Sequence, residues 1–377
     1  MARAVSMADI EEMPVSDRLD GFPHPRMTAR LYGHEAKEAA FLENFASQRL
    51  HHGWLVTGPE GVGKATLAYK MVRFLLANPE DRDPFGQTLD VTEDSPASRQ
   101  VKVLAHPGLL VLRRPYDPKI KRYKTEIPVD EVRRLRSFLN LTAAQDQYRV
   151  VLIDTADDLN ANAANAVLKS LEEPPARTVF ILLSSSPGRL LPTIRSRCRT
   201  LDLTPLNPDV LKRAVVQAIS ASGEAVTAPV PSGDDWLLLE RLAGGSVRRV
   251  LSLQTAGGLD LQKRLETLVS SLPNIDWTAV HTLADEVSSA AAETKFFLMQ
   301  GLLSSFLARL IRAQATGTGA ASDVALAKRL IGEPRLAAWS SLWETQASEN
   351  AVVDALNLDR KTLILQTFAR LEAAAGA

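Results

Sequence analysis

The stretch Gly58-Pro59-Glu60-Gly61-Val62-Gly63-Lys64-Ala65-Thr66 constrains the fold more than any other part of the chain. It follows the apolar run Gly53-Trp54-Leu55-Val56-Thr57 and leads into Leu67-Ala68-Tyr69-Lys70-Met71-Val72-Arg73-Phe74-Leu75-Leu76. Strand, glycine-rich turn and helix in that order form the layout of a phosphate-binding loop. In such a loop Gly58, Gly61 and Gly63 let backbone N–H groups converge on a polyphosphate, Lys64 reaches its outer phosphates, and the helix N-terminus adds positive potential. The residue after the lysine should be Ser or Thr, to hold magnesium. Here it is Ala65, with the nearest hydroxyl one place on, at Thr66.

A chain of 377 residues with 45% hydrophobic content reads as two or three domains that bury real cores. Lys and Arg number 44 and Asp and Glu 44, so no global charge draws it to nucleic acid or membrane, and any such contact must come from a local patch. No apolar stretch approaches the length of a membrane span. Asp9, Glu11 and Glu12 stand where a signal peptide would need an apolar core, so a cytoplasmic protein is expected. The single cysteine, Cys198, excludes an internal disulfide and a cysteine-based zinc site within one chain.

Residues 1 to about 25, with Pro14, Pro23 and Pro25 among mixed charges, read as an arm rather than a packed element. From Leu31 the pattern is helical, and Ala39, Ala40, Leu42, Phe45 and Leu50 are expected to form its buried face. The polar stretch Asn78–Gln100 has no periodicity and reads as an insertion or loop. Leu109–Leu112, Arg149–Asp154 and Thr178–Leu183 read as buried strands, alternating with helices at 129–141 and 161–171. Strand, helix and strand at this spacing predict a doubly wound α/β domain ending near Pro205. Beyond Pro208 no convincing strand appears, and helical periodicity predicts a small and then a larger helical domain, with breaks at Gly317-Thr318-Gly319 and Gly332-Glu333-Pro334.

A nucleotide-hydrolysing site of this kind needs two acids at the end of its central strand, one to organise magnesium and one to polarise the attacking water. The chain offers Asp154-Thr155-Ala156-Asp157. Asp154 stands where the metal-organising acid belongs, or else it caps the next helix. The following position, where a base would sit, is Thr155, and a hydroxyl cannot serve as a base at neutral pH. Ala65 and Thr155 therefore argue independently against hydrolysis.

The segment from 149 to 204 carries Asn165-Ala166-Val167-Leu168-Lys169-Ser170-Leu171-Glu172-Glu173-Pro174-Pro175, then Ser184-Ser185-Ser186-Pro187, then Leu191-Pro192-Thr193-Ile194-Arg195-Ser196-Arg197-Cys198. These blocks resemble the AAA+ clamp-loader family of bacterial DNA polymerase III, and the resemblance extends to Gly245-Ser246-Val247-Arg248-Arg249, similar to its lid motif, and Asn357-Leu358-Asp359-Arg360, where a collar is expected. It implies an α/β AAA+ P-loop core, a parallel sheet with helices on both faces, followed by a small helical lid and an all-helical C-terminal collar. The implied division is an arm at 1–25, the core at 26–205, the lid at 206–260 and the oligomerising collar at 261–377.

Carried onto this sequence, the resemblance makes Arg197 an arginine finger offered to ATP on a neighbouring subunit; the alternative is an ordinary salt bridge at a strand end. Arg248 becomes the lid arginine that senses nucleotide, or a structural partner. Ser185 lies near the polar sensor position. Family members often carry a four-cysteine zinc module after the first helix; with no cysteine there, no zinc is expected and residues 78–105 must fold without it or stay mobile. The implied cofactor is ATP or ADP, weakly held by Gly58, Gly61, Gly63, Lys64, Thr66, Asp154 and Arg248. The implied partners are the gamma/tau and delta subunits in a hetero-pentamer, the sliding clamp, and primed DNA through the complex. The implied function is a stator without ATPase activity of its own, inside a DNA-directed DNA polymerase holoenzyme. The alternatives are an ATP-hydrolysing motor subunit and, less well matched to two helical domains, a P-loop kinase.

From Arg113 to Arg136 there are nine Lys or Arg against four Asp or Glu, with Lys119, Lys121, Arg122 and Lys124 clustered: either a phosphate contact or a solvated loop. His51 and His52 should pack at the strand entrance. Trp339 and Trp343, four apart on a helix, should serve a core or a subunit contact.

Overall fold

The five residues Gly53–Thr57 form a strand that is buried along its whole length. This strand is possible only if both faces are covered, and the chain around it supplies two layers of helix. The computed structural model describes residues 18–28, 30–118, 122–140, 147–223, 231–255, 257–289, 292–356 and 359–376. They divide into two compact units, Met1–Val250 and Leu251–Ala377. Pro14, Lys119, Lys121, Asn357 and Leu358 lie outside the described residues.

The first unit runs α1 (Glu35–Ala46), β1 (Gly53–Thr57), α2 (Lys64–Leu76), α3 (Pro96–Lys102), β2 (Leu109–Leu112), β3 (Tyr116–Asp117), β4 (Arg122–Tyr123), α4 (Val129–Asn140), β5 (Arg149–Ile153), α5 (Ala161–Glu172), β6 (Thr178–Ser184), α6 (Pro192–Arg195), β7 (Arg199–Asp202), α7 (Pro208–Ala221), α8 (Gly233–Ala243) and the start of α9 (Val247–Thr255). Five strands form one sheet in the order β2-β5-β6-β1-β7, with every neighbouring pair parallel. Alternation along the strands sorts their side chains between the two faces. Trp54, Val56, Leu152 and Ile181 pack with Phe41 of α1 and Leu67, Met71 and Phe74 of α2. Leu55, Val151, Phe180 and Leu182 pack with Leu135 of α4 and Val167 and Leu171 of α5. This is the expected α/β core, with helices on both faces. Of the expected lid at 206–260, residues up to Val250 belong to the first unit and the rest to the second.

Several local readings need correction. The stretch Asn78–Gln100 is not structureless: Arg82 and Val91 form a bridge, and α3 begins at Pro96, its N-cap Ser95 accepting from Ser98 N–H at 3.1 Å. Asp83 ties the turn by accepting from the N–H groups of Phe85, Gln87 and Thr88. The arm is packed at its described end, where Phe22 and His24 are buried and the Arg73 guanidinium holds the carbonyls of Arg26 and Thr28 at 3.0 and 2.9 Å. In α1 the buried face is Glu38, Phe41 and Leu42 rather than Ala39, because buried Lys70 of α2 pairs with Glu38 at 2.9 Å. Strand β7 escaped the apolar pattern: it is a sheet edge on which Leu201 alone is buried. Part of the basic segment forms the β3–β4 pair, closed by Tyr116 against Tyr123. His51 and His52 do pack at the start of β1, where their rings stack and the His51 carbonyl accepts from the Trp54 indole.

The second unit continues through α9 into α10 (Gly258–Ser270), α11 (Trp277–Val287), α12 (Glu293–Thr316), α13 (Ala321–Leu330), α14 (Leu336–Leu356) and α15 (Arg360–Gly376). Gly317 and Gly332 stand at the ends of α12 and α13, as the sequence breaks predict. Helix α12 overturns one expectation, since it is long and apolar enough to cross a membrane by length and composition. Its Phe296, Leu303, Phe306 and Leu310 are buried within the unit, which makes it a core helix. Trp339 is fully buried, and the Trp343 indole donates to the Ser304 carbonyl at 3.1 Å, so both tryptophans serve this core.

Candidate phosphate-loop site

Strands β1, β5 and β6 run parallel and end at one edge, at Thr57, Ile153 and Ser184. The residues that follow them, Gly58, Asp154 and Ser185, therefore share that edge, the crevice where α/β sheets accept ligands. Sequence reasoning named all three, and the topology brings them together.

Gly58, Gly61 and Gly63 have φ of +137°, +78° and +114°. At Gly58 a Cβ would lie 2.3 Å from the Leu203 carbonyl oxygen, so the loop turns off β1 in contact with the backbone beyond β7. Lys64 opens α2 and is buried; its ammonium donates to the Gly58 and Pro59 carbonyls at 2.7 Å each and to the Ser185 hydroxyl at 2.9 Å. An ammonium has three protons, so these acceptors match its full donor capacity. Burial pushes its pKa down, against the attraction of Glu60, Asp157 and Asp154. Ala65 packs its methyl on the apolar layer under α2, and Thr66 is half-buried in the same first turn.

Asp154 is buried, and its N–H donates to the Leu112 carbonyl at 2.9 Å. The next helix, α5, takes its cap from Asn160 instead, whose side chain accepts from Ala163 N–H at 2.9 Å. Thr155 precedes a 3-10 turn at Ala156–Asp158. The residue that sequence reasoning left without a role is Asp157. Its carboxylate accepts from the Ser184 hydroxyl and the Ser185 N–H, each at 2.6 Å, and from the Ser186 N–H at 3.3 Å. It thereby anchors the backbone of Ser185, whose hydroxyl accepts from Lys64. No spacing rule connects an acid after β5 to the three serines that end and follow β6; only the parallel pairing does.

The lid motif meets the same loop. Val247 N–H donates to the Gly61 carbonyl at 3.0 Å, and a Cβ on Gly61 would lie 2.3 Å from Ser246 Oγ. Arg248 Nε lies 3.2 Å from Glu60 Oε1. Behind the loop, buried His34 places Nε2 2.9 Å from the Val62 carbonyl, and burial pushes its pKa down.

Arg197 is elsewhere. It follows α6 and precedes β7, and β7 starts beside the start of β1, with Arg199 paired to Trp54. Gly53 begins β1 where a Cβ would come 2.8 Å from the Arg197 carbonyl. Arg197 thus lies at the N-terminal edge of the sheet and Lys64 at the C-terminal edge, about 15 Å of strand apart. Its Nη2 is 2.9 Å from Glu172 Oε1, its Nη1 3.1 Å from the Thr193 carbonyl, and its side chain is 37% exposed. Nearby Cys198 is half-buried, which pushes its thiol up to about 12.

A five-stranded parallel sheet with a glycine loop and lysine after its first strand has the architecture of the AAA+ P-loop class. Residues 33–207 match a family described as DNA polymerase III, delta subunit, and over 236 residues the chain is 34% identical to DNA polymerase III subunit delta' of Pseudomonas aeruginosa, covering 61% of this chain and 66% of that one. Over this region the chain is similar to DNA polymerase III delta-prime subunits. It is also 26% identical over 289 residues to a DNA polymerase III subunit gamma/tau of Mycobacterium bovis, covering 74% of this chain and 46% of that one. The chain therefore spans just under two thirds and under half of the lengths of these two relatives. A solved gamma-subunit-related protein of Thermotoga maritima aligns over 89% of this chain and 99% of its own, at 18% identity and a TM-score of 0.39.

Proposed function

We propose that this chain is the delta-prime subunit of a bacterial clamp loader, a stator that lends Arg197 to ATP bound on a neighbouring subunit while the sliding clamp is loaded onto primed DNA. The observation that carries the reading is the position of Arg197, half-exposed at the sheet edge opposite the chain's own phosphate loop. A guanidinium so placed can serve a phosphate only across an interface, where bidentate contact would stabilise the charge of the departing γ-phosphate. Ala65 and Thr155 support the other half of the reading, a loop that does not hydrolyse. Nucleotide, where it binds, is ATP or ADP held weakly and without magnesium. The partners in this reading are gamma/tau and delta subunits joined through the helical unit, and the protein works in the cytoplasm.

The test is a loader reconstituted with Arg197→Ala. Fold and assembly should be retained while clamp-stimulated ATP hydrolysis falls sharply; undiminished turnover would sink the assignment. The similarity to gamma/tau subunits keeps a motor reading in view, and magnesium-dependent ATPase by the purified chain, abolished by Lys64→Ala, would favour it.

A further inference from the structure

Glu60 is an odd occupant for a loop whose chemistry is to hold anions. Its carboxylate faces Arg248, a cation that would otherwise be available to a ligand's phosphates, at 3.2 Å. One residue on, the Gly61 carbonyl accepts from Val247 N–H at 3.0 Å, and Ser246 and Arg248 come so close that a Cβ on Gly61 would lie 2.3 and 2.5 Å from their atoms. Lys64, the other cation of the site, donates to Gly58, Pro59 and Ser185. Both cations are thus engaged inside the chain. An exposed ion pair contributes little alone. The amide bond to Gly61 and the close backbone approach do more of the closing.

We propose that Glu60, Gly61 and the first turn of α9 form a latch that closes the lid on the phosphate loop, with the Glu60 carboxylate standing in for a ligand phosphate. A nucleoside diphosphate or triphosphate competes with this closed form: it must draw Arg248 from Glu60 and Lys64 from its carbonyls. Its affinity is lowered by the fraction of molecules in the closed form. By reciprocity, nucleotide opens the latch by the same factor that opening the latch tightens nucleotide. The inference stands whether or not Arg197 serves a neighbour's site.

The test reads amide hydrogen exchange at Val247 in the full chain, together with binding of a fluorescent ADP. Saturating ADP should speed Val247 exchange in the natural protein; slower exchange would overturn the latch. Glu60→Gln should speed Val247 exchange and tighten ADP, each by about fivefold. Tighter ADP with unchanged exchange would mean that Glu60 only repels phosphate, and no change in either would mean that it holds nothing; both results refute the proposal. Gly61→Ala should speed Val247 exchange more than tenfold while amides of β5 and β6 stay protected. A still-protected Val247 refutes the proposal, and should that variant fail to fold, the Glu60→Gln arm decides alone.

Discussion

Arg197 and Lys64 stand at opposite edges of one parallel sheet, joined by the length of β1. The two cations are thereby separated: one sits in the chain's own loop, and the other, paired with Glu172, lies where that loop cannot reach it. Parallel pairing enforces this, because every strand that brings a side chain to the loop edge carries its own start to the far edge.

Asp157→Ala should cost stability. It removes the acceptor for the Ser184 hydroxyl and for the backbone N–H groups of Ser185 and Ser186, and so releases the backbone that carries the hydroxyl under Lys64. A loss of about 2 kcal/mol is expected, seen as a lower urea midpoint with an unchanged slope. A midpoint equal to that of the natural protein would show that water satisfies these groups equally well.

Restoring the missing hydroxyl should change metal dependence before it changes catalysis. Calorimetric titration of the natural chain with ATP is expected to give the same weak affinity with and without magnesium. Ala65→Thr should make the affinity magnesium-dependent, with no turnover while Thr155 occupies the base position. Magnesium-strengthened binding in the natural chain would show that Thr66 or Asp154 already recruits the ion.

Stability should fall in mild acid. Burial pushes His34, His52 and His106 below the ordinary value of 6.5. The unfolded chain then takes up protons near 6.5 that the folded chain refuses, so the stabilisation is complete above that value and is lost as pH drops below it towards the folded pKa values. Each histidine adds a slope of up to about 1.4 kcal/mol per pH unit in that window. His34→Gln keeps a donor for the Val62 carbonyl and cannot titrate, so urea midpoints measured from about pH 7.5 to 5.5 should slope less. An unaltered slope would remove His34 from the explanation.

In the helical unit, Trp339→Ala should cost about 3–5 kcal/mol, because the indole is fully buried and its deletion leaves a cavity. Thermal unfolding should show the loss; a shift within error would mean that the core collapses around the gap.

The parts legible in the sequence were those written in local chemistry. The glycine loop, the carboxylate after β5 and the four strands with apolar runs were identifiable from residue type and spacing, whereas the arginine after α6 was singled out only by the family resemblance. What escaped was whatever depends on a partner far along the chain. Strand β7 shows one buried residue because it is an edge, so no run announces it. The face of α1 is rotated towards Glu38 because Lys70 waits on α2. Asp157 and the contact of Ser246 with Gly61 needed the sheet order and the lid position respectively. The proposed role of Arg197 lies further out still, since its geometry shows only which loop it cannot serve.

The thiol beside Arg197 has a practical consequence. Cys198 is the chain's single cysteine, and burial keeps it protonated far above neutral pH. Thiolate is the reactive form, so alkylating reagents have little to attack. The natural protein should therefore react slowly with maleimide dyes, and one cysteine placed at exposed Leu237 on α8 would carry a fluorophore with little competition from Cys198. Spectroscopy on the lid could begin from a single substitution.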